Sequence, residues 1–182
     1  MQTVEPIRNM NDLKKIKKIL MQDSDRNLLL FNLGINTGLR ISDILNLKVG
    51  DIKEKEYITI KEQKTNKVRK ILISTNIKSI LGDYIQGKKA NEYLFSSRKG
   101  ENKPITRIQA WRIIRYACQK AKINSYIGTH TLRKTFGYHF YKQTKDIAML
   151  QSILNHSSPS VTLRYIGINQ EIMDNKLRNF CL

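Results

Sequence analysis

The sequence predicts an α+β domain, mostly α-helical, with a small antiparallel sheet of about three strands. Three observations predict it. Apolar residues recur at helical spacing over most of the chain. The exception is "EYITIK" and "VRKILIS", which are β-rich and separated by the polar "EQKTNK". No low-complexity tract, Pro/Gly-rich linker or fixed-period repeat divides the 182 residues, a length that suits one domain with a real core.

The elements follow in order. Asn11 or Asp12 is the expected cap of a first helix, with Leu13, Ile16, Ile19 and Leu20 on one face and lysines on the other. Ser24 and Asp25 open a second helix through "RNLLLFNLGIN", which stops at Thr37-Gly38, where the glycine permits a turn. A third starts near Ser42 and carries Ile44, Leu45 and Leu47. The two β-rich runs read as a hairpin with a cationic tip, and "EYLFSS", residues 92–97, as a third short strand. Helical patterning returns in "TRIQAWRIIRYACQKAKI", "HTLRKTFGYHFYK" and "TKDIAMLQSILNH". Pro159 and its serines break the chain before "SVTLRYI", and "NQEIMDNKLRNF" reads as a final weak helix.

Composition narrows the function. Thirty-three Lys and Arg against fifteen Asp and Glu give a formal +18. Such an excess repels itself in the folded state, and a polyanion offsets it. Nucleic acid is the first candidate, with counterion release supplying sequence-independent affinity. No run approaches the roughly 18–20 apolar residues of a transmembrane helix, and no signal peptide opens the chain. The two cysteines lie in no metal-ligand spacing, and the expected setting is cytosolic.

Three clusters can carry chemistry: "NTGLRISDILNL" around Arg40, "GTHTLRKTFG" around His130 and Arg133, and "LNHSSPSVTLRYIG" with His156 and Tyr165. Singly, each is ordinary. Together they fit attack on a phosphodiester, which needs donors for the non-bridging oxygens, an acid for the leaving oxygen and a nucleophile. Arginine forks suit the first task, so Arg40 and Arg133 can clamp one phosphate. Lys64, at the hairpin tip, can deliver the proton. Histidines can hold phosphate oxygens or move protons near neutral pH. A tyrosine hydroxyl, with a reference pKa of about 10, becomes nucleophilic where cations favour the phenolate.

"TGLRISDILNL", "HTLRKT" and "LNHSSPSVTLRYIG" resemble the three signature boxes of the tyrosine recombinases, the integrase family. The resemblance runs from about Asp25 to Gly167 and implies the catalytic-domain fold of that family. It implies that Arg40 and Arg133 bind the phosphate, that Lys64 is the general acid, and that His130 and His156 take the two histidine places. Tyr165 takes the place of the nucleophile, forming a 3′-phosphotyrosyl bond and freeing a 5′ hydroxyl without metal or other cofactor. Asn155 stands where the family commonly has glycine, and Asp43, a supporting acid near Arg40, stands where glutamate is commoner.

The resemblance further implies site-specific recombination or integration of double-stranded DNA, as in mobile elements. It implies self-association as a tetramer on paired sites, possible accessory DNA-bending proteins, no membrane partner and a cytoplasmic, nucleoid-associated setting. Lys67, Arg69, Arg107 and Lys134 are candidate DNA-backbone contacts. Residues 1–182 read as a single catalytic domain without the family's N-terminal core-binding domain, and 168–182 as a tail helix exchanged between protomers. A type I tyrosine topoisomerase-like enzyme and a non-catalytic DNA-binding relative are the alternatives.

Overall fold

Helix α1 (Met10–Asp23) is capped two or three residues earlier than expected, by Asn9, whose side chain accepts the Asn11 N–H at 2.8 Å. The computed structural model describes residues 4–63, 66–168, 177, 178 and 180. Helix α2 (Asp25–Thr37) follows after Ser24, and α3 (Ile41–Leu45) after a two-residue gap and Arg40. Strands β1 (Tyr57–Lys61) and β2 (Val68–Leu72) pair antiparallel, with Tyr57 opposite Leu72 and Lys61 opposite Val68. Then come α4 (Thr75–Tyr84), α5 (Arg107–Lys120), α6 (Thr131–Thr144), α7 (Ile147–Leu154) and α8 (Pro159–Ile166).

Among the described residues the sheet has two strands, where about three were expected. Residues 92–97 run beside the core but make only isolated bridges, Tyr93 to Lys48 and Ser96 to Pro104. Proline has no N–H to continue a ladder, so the second bridge cannot extend. Helix α4 is an element the pattern did not announce. It buries only Ile77 and Leu81 and carries Gly82, too few apolar positions to set a period. Of the expected tail helix over 168–182, residues 169–176, 179, 181 and 182 lie outside the described residues.

Helix α2 lies at the junction of two core clusters. Its Leu29, Leu30 and Leu33 pack with Ile44, Leu47, Ile58, Ile77 and Phe95, while Phe31 packs with Ile16, Leu20, Ile114 and Leu132. A third cluster joins Tyr138 of α6 to Leu150, Leu154 and Ile166. Helices α2 and α6 approach so closely that a Cβ on Gly34 would stand 2.8 Å from Leu132 Cβ. This contact matters for the site, since α2 ends beside Arg40 and α6 begins at His130. Among the described residues, no helix is long and apolar enough to cross a membrane.

Candidate active site

Arg40 is delivered by a turn. Gly38 closes α2 at φ 62°, ψ 17°, and Arg40 precedes α3 in extended backbone. A side chain at Gly38 would be strained by that φ and would also meet the Phe136 ring, 2.5 Å from its Cβ. The Arg40 guanidinium donates from Nη1 to Glu62 Oε2 at 2.8 Å. The other oxygen, Oε1, takes Arg69 Nη1 at 2.9 Å. Glu62 is wholly buried, whereas the two arginine side chains are each 16% exposed. One carboxylate thus holds two arginines from behind.

Asp43, expected as a supporting acid near Arg40, bonds the hairpin backbone. Its Oδ1 accepts the Gln63 backbone N–H at 3.1 Å, which pins the hairpin to α3, and its Oδ2 has no hydrogen-bond partner. A carboxylate on a short side chain one turn into α3 reaches the hairpin backbone instead. Glu62 escaped notice as one acid in a cationic tip. The alternation that buries Ile58 puts Glu62 on the same strand face, two periods on, and that was the available signal.

Arg133 lies in the first turn of α6, 3% exposed. Its Nη1 donates to Gly38 O at 2.6 Å and its Nη2 to Leu154 O at 2.7 Å. Both carbonyls sit at helix C-termini, where acceptors lack intrahelical partners and the helix dipole is negative. Burial pushes the guanidinium down to about 10; Tyr165 raises it, and nearby Arg40 and Arg69 depress it. It remains charged at neutral pH. His130 stands just before α6, where Gly128 N–H donates to Thr131 Oγ1 at 3.0 Å and tightens the turn.

His156 follows the left-handed Asn155 (φ 50°, ψ 52°) that ends α7. Asparagine tolerates this conformation where glycine is commoner. Its Oδ1 also accepts from Lys67 Nζ at 3.0 Å, a tie to the hairpin that glycine could not make. Thr162 Oγ1 gives its proton to Ser158 O at 3.1 Å, so toward His156 Nδ1, also at 3.1 Å, it acts as acceptor. In the neutral ring the proton is therefore on Nδ1 and Nε2 is an acceptor. Burial first, then the fields of Arg133 and Arg40, pull His156 down to about 4.

Tyr165 rides on α8, which Ser158 caps through the Val161 N–H and Pro159 starts in its first turn. The phenol is half-buried, its hydroxyl 3.4 Å from His130 Nδ1 and its ring 4.9 Å from the His156 ring. Lys134 Nζ lies 5.2 Å from the ring centroid. Cations were expected to favour the phenolate. Arg133 and Arg40 do act in that direction, but burial outweighs them, and the Tyr165 pKa is raised. In this state the hydroxyl holds its proton.

Five of the six expected residues therefore converge: Arg40, His130, Arg133, His156 and Tyr165. Lys64 lies outside the described residues. Arg107, at the start of α5, lines a cavity of about 520 Å³ together with Arg40, Gln63 and His130. A larger groove, about 810 Å³, runs between residues 52–56 and α4 and includes none of these residues. Among the described residues, no group of three or more His, Cys, Asp or Glu could hold a metal ion. Guanidinium groups around a tyrosine hydroxyl suit an anionic ester and a nucleophile.

The Phage integrase family profile matches residues 9–171. The chain is 52% identical over 171 residues to the probable integrase/recombinase YoeC of Bacillus subtilis (strain 168), covering 94% of this chain and 93% of that one. It is 32% identical over 160 residues to the tyrosine recombinase XerA of Pyrococcus furiosus, covering 86% of this chain but only 55% of the relative. The chain thus spans nearly all of one relative and about half of the other. In fold it is similar to a crystal structure of XerA recombinase (TM-score 0.75, 23% identity, 97% of this chain and 66% of that one). It is also similar to a lambda integrase tetramer bound to a Holliday junction (TM-score 0.70, 20% identity, 91% and 49%). On the profile match and these relatives, the chain belongs to the phage integrase family, the tyrosine recombinases that break and rejoin DNA.

Proposed function

We propose that this chain is a site-specific DNA recombinase whose Tyr165 attacks a backbone phosphate, forming a 3′-phosphotyrosyl ester and releasing a 5′ hydroxyl. The observation that carries this reading is the convergence of Arg40, Arg133, His130 and His156 on Tyr165 from three separate segments. Arg40 and Arg133 neutralise the phosphate oxygens as charge develops on them. His130 Nδ1 accepts the Tyr165 proton, which a phenol with a raised pKa must lose during attack. A bound phosphate counters the arginine fields, the lesser cause of the low His156 pKa after burial, and so favours the protonated ring that can donate from Nε2. Lys64, which lies between β1 and β2 in the sequence, protonates the leaving 5′ oxygen. The ester retains the bond energy, so a 5′ hydroxyl from a partner duplex can reverse the step without a metal or nucleotide.

Assembly follows from the same chemistry, since exchange requires several tyrosines on paired sites. A tetramer on double-stranded DNA is the proposed working form, as in the lambda integrase complex on a Holliday junction. Segment 168–182 is the proposed link between protomers, residues 1–182 acting as one catalytic unit, with accessory DNA-bending proteins where sites must be brought together. The setting is the cytoplasm, on the nucleoid. Lys67, Arg69, Arg107 and Lys134 contact the DNA backbone around the cleaved phosphate. The test is a nicked suicide substrate, on which the wild-type chain is expected to form a denaturant-resistant adduct. Tyr165→Phe should bind the same DNA and form none. An adduct in the Phe variant means another nucleophile and ends the reading.

A further inference from the structure

We propose that Glu62 is a positioning residue for the phosphate site, orienting Arg40 through a carboxylate that it shares with Arg69. The proposal rests on the reading of Arg40 as a phosphate ligand. Glu62 lies where the hairpin loop begins, one residue beyond β1, and its side chain is wholly buried. Each of its oxygens binds one Nη1, at 2.8 Å for Arg40 and 2.9 Å for Arg69. Only Nη1 of each guanidinium is engaged in these pairs. Both arginine side chains are partly exposed, and the pairs leave the other N–H donors of each fork unused.

Charge gives the carboxylate a second effect. Arg40, Arg69 and Glu62 all act on the Arg133 guanidinium, so the four groups form one electrostatic unit. Three guanidinium charges and one carboxylate sum to a formal +2. A phosphodiester carries one negative charge, and a phenolate attacking it brings a second. The unit therefore matches the transition state better than the resting ester, which is the condition for lowering a barrier rather than tightening ground-state binding. Without Glu62 the unit would be +3, and Arg40 would repel Arg69 with nothing to set its angle. Asp43 reinforces the arrangement by holding the next backbone N–H, that of Gln63.

The test uses Glu62→Gln, which keeps the shape and removes the charge, with cleavage followed in single turnover at saturating protein on the nicked substrate. The expected result is a rate about tenfold or more below wild type. DNA affinity should be undiminished, with a salt dependence steeper by about one phosphate contact. Arg69→Gln should slow cleavage less, and the double variant should be no slower than Glu62→Gln, because Arg69 acts through Glu62. A merely structural role would instead lower the melting temperature and leave the rate per folded molecule unchanged. If Glu62→Gln does not fold, Glu62→Asp carries the same measurement, since it keeps the charge but is one methylene too short to span both arginines. A folded variant cleaving at the wild-type rate overturns the proposal and leaves Tyr165 chemistry intact. A wild-type chain that forms no Tyr165 adduct overturns both.

Discussion

Replacing Arg133 by lysine keeps a positive charge in α6 but removes the fork. In the native chain the two terminal nitrogens donate to Gly38 O at 2.6 Å and Leu154 O at 2.7 Å, closing the ends of α2 and α7. A lysine ammonium on its narrower stem can serve one of these carbonyls, and the other is left buried without a donor. That costs about 1–3 kcal/mol. For a chain of this length each kcal/mol corresponds to roughly 2–4 °C, so Arg133→Lys should melt about 2–12 °C below wild type. Cleavage should fall further, by about a hundredfold or more, as for the loss of one donor to developing charge. Calorimetry gives the first quantity, and single-turnover cleavage at a temperature where both proteins are folded gives the second. A variant that melts with the wild type would show that the two carbonyls do not depend on the arginine. One that also cleaves at the wild-type rate would refute the whole account of Arg133.

Two further outcomes are expected. His156 is held near 4 in the folded chain, below its ordinary 6.5, so the unfolded state binds its proton first as the medium is acidified. Its contribution to stability is complete above about pH 6.5 and is lost as pH falls toward 4; His156→Asn should remove that part of the pH dependence measured by urea titration. Cleavage should persist in EDTA, while DNA binding should weaken steeply between low and moderate salt, given the +18 charge. A magnesium requirement for strand cleavage would contradict the tyrosine ester chemistry.

Much of the fold was legible because its helices carry strong periodicity. Leu13, Ile16 and Leu20 mark α1, and Thr37-Gly38 marks the stop of α2. The failures have physical causes. Helix α4 shows two buried apolar residues, so tertiary packing rather than its own pattern holds it. Residues 92–97 have strand-like composition, but they face Pro104, which cannot donate. At the site, Arg40, His130, Arg133, His156 and Tyr165 were legible as side chains suited to phosphate chemistry. Their supports were not. Whether Asp43 or Glu62 meets Arg40 depends on how far the hairpin folds back over α3, a distance that spacing along the chain does not encode. The upward shift of Tyr165 depends on burial, which likewise emerges only when α8 packs against α6.

The position of Arg133 also limits how such a protein can diversify. Its two terminal nitrogens each donate to a main-chain carbonyl, so any replacement disturbs the joint between α2 and α7 as well as the proposed phosphate site. Arg40 and Arg69 are bound through a side chain, Glu62, that can itself be exchanged. Arg107 lines the adjoining cavity, and its side chain makes no hydrogen bond or ion pair among the described residues. Substitution is therefore easiest at Arg107, whose side chain carries no such structural task. Arg133 is the arginine that the fold is least able to exchange.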